Sequence, residues 1–142
     1  MKNRLFILLI LFAFVACEDY SRTNYYEFVV ENQMSDKTVK IVPKSKTDFW
    51  ISSKDSYVVV SGEKIIIGTK LVHYGGDDRP KPPKYAFDIY KPDEIMEPFE
   101  LYIDDIKQEK TFSFRKFWDF SLGSVNESGK YTLVINENTL NN

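Results

Sequence analysis

Between positions 25 and 136 apolar side chains fall repeatedly on every second residue, a pattern that a chain buries most readily as half-covered β-strands. Tyr26, Phe28 and Val30 share one face, while Glu27 and Glu31 take the other. Val39 and Ile41 repeat the pattern around Lys40, and Phe99, Leu101 and Ile103 alternate with Glu100, Tyr102 and Asp104. An amphipathic helix would need its apolar positions three and four apart, and no convincing stripe of that kind follows residue 24.

Other stretches extend the reading. Residues 57–60 and 65–67 are runs rich in β-branched side chains, and Ser61-Gly62-Glu63-Lys64 between them predicts a hairpin of more fully buried strands. Residues 85–90, 106–112, 117–120 and 131–136 supply further strands, with a turn at Asp104-Asp105. Glycine, proline and charge crowd residues 75–83, which marks a surface loop; residues 91–98 form a second connection, with one helical turn at 93–96. About seven to nine short strands separated by turn chemistry predict an all-β fold. The expected form is an antiparallel two-sheet sandwich, immunoglobulin-like, with a small β-barrel as the alternative. The chain has room for one such domain, placed at residues 25–142. A single cysteine excludes an intramolecular disulfide and a cysteine-rich zinc site, so the domain stands on its apolar core alone.

The N-terminus follows a different rule. Lys2 and Arg4 precede twelve uncharged, mostly apolar residues at 5–16, and Cys17 ends the run. A positive start and an apolar stretch of this length make a signal peptide, too short for the roughly 20 residues of a membrane-spanning helix. Phe14-Val15-Ala16-Cys17 resembles a lipobox, the processing site of bacterial lipoproteins, although Phe14 stands where leucine is more usual. The resemblance implies removal of residues 1–16, diacylglycerol on the Cys17 sulfur and usually a third acyl chain, such as palmitate, on the new amino group. Residues 17–24 would then be a lipidated tether. Each buried methylene contributes about 0.8 kcal/mol, so two or three chains anchor durably where one holds marginally.

Glu18 and Asp19, directly after the cysteine, resemble the acidic surface-export signal of lipoproteins in the Bacteroidota. Leu101-Tyr102-Ile103-Asp104-Asp105, Phe117-Trp118 and Tyr131-Thr132-Leu133-Val134-Ile135-Asn136 resemble small lipoproteins of the same group. These likenesses imply a β-sandwich and a lipid-anchored place at the outer membrane, the cell surface before the periplasmic face. They carry no catalytic residues with them.

Charge excludes one class of partner. With Lys2 and Arg4 taken from the 19 basic residues, 17 remain against 21 acidic ones, a net charge of −4 with the bases scattered among acids. A nucleic-acid binder needs a massed basic face, so none is expected. His73 is the only histidine, and a small hydrolase or metal-dependent enzyme would have to be centred on it, with Asp77 and Asp78 nearby. A histidine at a strand end that packs or meets water is the plainer reading. Asp77-Asp78, Asp93-Glu94 and Asp104-Asp105 lack the alternation and glycine of a calcium loop, and turn chemistry explains such doublets. No catalytic residue, metal or cofactor is therefore assigned.

Aromatic residues offer the remaining candidates. Phe49 and Trp50 lie between strands, and Tyr74, Tyr85 and Tyr90 border the proline-rich loop. Exposed aromatics of this kind contact sugars or protein partners, whereas buried ones cap the ends of a sandwich. The expectation is a non-enzymatic binding or structural module at the membrane, alone or as an accessory subunit of a larger complex. A surface glycan-binder using Trp50 and the loop tyrosines is the alternative.

Overall fold

The computed structural model describes residues 22–51, 54–74, 95–122 and 128–141. Among the described residues the alternation in the sequence becomes eight strands. They are β1 (Arg22–Asn32), β2 (Val39–Pro43), β3 (Tyr57–Val59), β4 (Lys64–Tyr74), β5 (Phe99–Ile103), β6 (Ile106–Lys107), β7 (Trp118–Leu122) and β8 (Ser128–Ile135). A 3-10 turn, Arg115–Phe117, leads into β7, and a short helix α1 (Glu137–Asn141) follows β8.

The strands form two four-stranded sheets, ordered β4-β1-β8-β7 and β3-β2-β5-β6. Phe28, Tyr131 and Trp118 project from the first sheet, Ile41, Leu101 and Val59 from the second, and all belong to one buried apolar cluster. This is the expected all-β two-sheet sandwich. Neither sheet closes on itself, so the barrel alternative is set aside. One pair departs from a purely antiparallel layout: β1 and β8 run parallel, with Phe28 beside Tyr131 and Val30 beside Leu133. The first strand therefore lies inside its sheet, where the immunoglobulin order places it at an edge.

The expected hairpin at 57–67 is corrected. β3 pairs with β2 in the second sheet, whereas β4 pairs with β1 in the first, so residues 60–63 cross between the sheets. Gly62, at φ 79°, makes the turn, and its amide donates to the Asn32 carbonyl at 2.8 Å. The flanking strands are also less buried than their composition suggests, because Val58 and Ile66 face outward at 52% and 41% exposure. The expected strand at 85–90 and the first half of the expected helical turn, residues 93 and 94, lie outside the described residues; Ile95 and Met96 are not helical and are buried, with the Ile95 amide donating to the Ser113 carbonyl at 3.1 Å.

Asn32 fastens the two sheets together. Its side chain is fully buried, and Nδ2 donates to the Val59 carbonyl at 2.9 Å and the Lys37 carbonyl at 2.8 Å. Its Oδ1 accepts from the Met34 amide at 3.0 Å, so both ends of the amide are engaged.

Candidate binding surface

The residues between β2 and β3 decide where Phe49 and Trp50 go. The Thr69 amide donates to the Phe49 carbonyl at 2.8 Å and the Ile51 amide to the Ile67 carbonyl at 3.3 Å, which lays this segment along the edge of β4. The Phe49 ring then enters the core edge-on to Phe28, with centroids 4.8 Å apart, at a site that Gly68 opens by lacking a Cβ. Trp50 packs 5.9 Å from Tyr57 and 6.4 Å from Phe99. Both predicted contact residues are thus buried, at 8% and 7% exposure, and cap the sandwich.

Trp50 also lines a depression of about 370 Å³ with Pro43, Ser45, Lys46, Thr47, Asp48 and Lys54. Its indole Nε1 is buried without a hydrogen-bond partner among the described residues. On the rim Lys46 pairs with Asp55 at 2.8 Å, which lowers the Asp55 pKa and raises that of Lys46 through the shared hydrogen bond.

A second polar surface occupies the outward side of the β3-β2-β5-β6 sheet. The pairing register sets Val58, Lys40, Tyr102 and Lys107 in one row across the four strands. The Tyr102 hydroxyl donates to Glu100 Oε2 at 2.7 Å, and Lys107 pairs with Glu100 Oε1. Lys107, by its hydrogen bond, holds the Glu100 carboxyl below the usual carboxylate range, and Glu100 in turn raises the Tyr102 and Lys107 values. Lys40 lies 5.6 Å from the Tyr102 ring centroid and 3.5 Å from Asp105. Beside this row opens a depression of about 550 Å³ lined by Thr38, Lys40, Ser56, Val58, Asp104 and Asp105.

The sequence reading did not pick out this row. Its one signal was an aromatic residue, Tyr102, on the solvent phase of an alternating strand. The chain can present here a flat surface of aromatic, apolar and paired charged groups, suited to a polar ligand or a protein.

The other candidates separate. His73 lies in β4 opposite Thr23, while Asp77 and Asp78 lie outside the described residues. Tyr74 ends β4, and Tyr85 and Tyr90 lie outside the described residues, as do Cys17, Glu18 and Asp19. Asp104 and Asp105 form the two-residue β5–β6 turn at φ 48° and 66°. The Asp104 carboxylate accepts from the Thr38 amide at 2.9 Å, so the doublet is structural, as turn chemistry predicted. Among the described residues no group of three His, Cys, Asp or Glu side chains is placed to hold a metal ion.

No known family model matches the chain, and no curated protein or solved structure is similar enough to count as a match.

Proposed function

We propose that this protein is a lipid-anchored envelope lipoprotein whose β-sandwich acts as a non-enzymatic binding or structural module at the outer membrane. The observation that carries the reading is Cys17, which closes a positively started apolar stretch and stands five positions before β1 begins at Arg22. A signal peptide ending there leaves every described strand in the mature chain. The acidic pair Glu18-Asp19 favours display at the cell surface, as a free module or an accessory subunit of a membrane complex.

Fractionation of cells making Cys17→Ala tests the anchor. The variant is expected in the soluble fraction, or as an uncleaved precursor; a processed protein that stays with the membrane would overturn the reading.

One observation favours a glycan ligand as a second reading. The Trp50 depression gathers Ser45, Thr47, Asp48, Lys46 and Lys54, side chains that donate to and accept from sugar hydroxyls. Because the indole is buried, the contacts belong to the rim. Asp48→Ala with Lys54→Ala should abolish retention on a cell-surface polysaccharide column without altering the melting temperature, and unchanged retention removes the reading.

A further inference from the structure

Each sheet has two edge strands, and an edge left open is a template for a strand from another chain, which folded proteins usually blunt. Among the described residues three of the four edges are blunted. Residues 49–51 lie along β4, Asn32 takes the Val59 carbonyl of β3, and β6 is two residues long. β7, at the opposite edge of the first sheet from β4, runs for five residues, Trp118–Leu122, and contains neither lysine nor proline.

Two hydrogen bonds fix which backbone groups of β7 point outward. The Trp118 amide donates to the Arg115 carbonyl, so it does not bond Leu133 opposite it. In β8 the Ile135 carbonyl accepts from Gln33, beside β1, and by alternation Tyr131 and Leu133 also turn to β1 while Lys130 and Thr132 turn to β7. Bonded and non-bonded pairs alternate along an antiparallel ladder, so Asp119 and Ser121 bond β8, and the amide and carbonyl groups of Phe120 and Leu122 point out of the sheet edge. Among the described residues those groups have no hydrogen-bond partner on that side. Leu122 is also 71% exposed, the most of any large apolar residue described.

This edge is complementary to itself. An antiparallel second copy must set outward-pointing residues opposite one another, which leaves three registers with three or more residues of β7 in contact. Trp118 opposite Phe120 would bring two Asp119 carboxylates face to face, and like charges directly opposed are unfavourable. Phe120 opposite Leu122 would engage only three residues of each strand. Phe120 opposite its own counterpart engages all five. The two Phe120 residues then exchange both backbone bonds, and each Trp118 carbonyl accepts from the second copy's Leu122 amide; the Trp118 amide, already bonded to Arg115, needs no partner. Ser121 stands opposite the second copy's Asp119, a hydroxyl donor facing a carboxylate, and Leu122 comes beside the second copy's Trp118.

We propose that two copies of this chain pair antiparallel through β7 about a two-fold axis at Phe120, joining their β4-β1-β8-β7 sheets into one continuous sheet. The pairing does not depend on the anchor. Its contact is small beside a standard interface of roughly 1,600 Å², so dimer and monomer exchange reversibly.

The test uses full chains carrying Cys17→Ser, so that an introduced thiol is the only one. In the proposed register residues 119 and 121 of opposite copies form a non-bonded pair with Cα atoms about 4.5 Å apart, within reach of a disulfide. Under mild oxidation a mixture of Asp119→Cys and Ser121→Cys chains should give severalfold more covalent dimer than either chain alone. Val58→Cys, at a 52% exposed position of the other sheet, gives the background. Adding Leu122→Pro to both chains removes an outward amide and should bring the yield down to that background with an unchanged circular dichroism spectrum; if the proline variant misfolds, Leu122→Lys takes its place. Sedimentation of the Cys17→Ser chain should show a mass that rises from one chain towards two with concentration. A mixture no better than Val58→Cys or than its separate components, a yield indifferent to the Leu122 change in a folded chain, or a monomer at every concentration overturns the pairing.

Discussion

Among single residues, Asn32 does the most that its neighbours cannot. It satisfies two carbonyls and one amide where the sheets meet, and each buried group left without a partner costs about 1–3 kcal/mol. Asn32→Ala should destabilise the domain by about 3 kcal/mol, read as a lower urea midpoint with an unchanged slope. Nothing in the sequence marked it, since an asparagine after Glu31 looks like the polar end of a strand. Gly68 was equally silent: a Cβ there would run into the Phe49 ring. Gly68→Ala should cost about 1–3 kcal/mol in a thermal or urea melt, and the penalty should shrink when Phe49→Leu makes room. Close approach of this kind depends on which segment lies across the strand, and local alternation carries no record of it.

At the scale of elements, the β1–β4 pair carries a pH-sensitive tie. Lys64 bonds Glu31 at 2.8 Å, and with Gln33 it holds the Glu31 carboxyl below its ordinary range. A depressed folded value means that the unfolded chain protonates first as pH falls. The contribution is thus complete above the ordinary carboxylate range near about pH 4.3 and drains away as pH drops through the folded value. Melting temperatures followed from neutral pH into acid should fall for the native chain, and Glu31→Gln should flatten that fall. The β5–β6 hairpin offers a test of opposite sign. Asp105 sits at φ 66°, and its ion pair with Lys40 is solvent-exposed, so Asp105→Gly should raise stability by about 0.5–1 kcal/mol in denaturant melts. This turn was legible because two aspartates between alternating strands can serve only a tight reversal. The link from β3 to β4 was not, because a four-residue Ser-Gly connection fits a hairpin and a crossing between sheets equally well. The choice was made by Gly62 bonding to Asn32, thirty positions earlier.

For the whole molecule, the two-sheet architecture was readable from the period of two, while the partner of each strand was not, since pairing depends on contacts far apart in sequence. The outward row through Tyr102 escaped notice for the same reason: its members come from β2, β3, β5 and β6 and meet only through the register. Phe49 and Trp50 drew attention as aromatic residues in a loop, but the loop turns them into the core. The first and last strands depend on each other, because β1 is flanked by β4 on one side and β8 on the other. A chain ending before Ser128 should lose its cooperative unfolding transition in circular dichroism, because the buried faces of Phe28 and Val30 lose Tyr131 and Leu133. The parallel β1–β8 pair also decides how the domain would answer tension. A pull entering at the N-terminal end of β1 and leaving beyond the C-terminal end of β8 slides the two strands lengthwise, straining their evenly spaced hydrogen bonds all at once instead of unzipping them singly. A module hung by that strand would resist drag as a bolt resists shear.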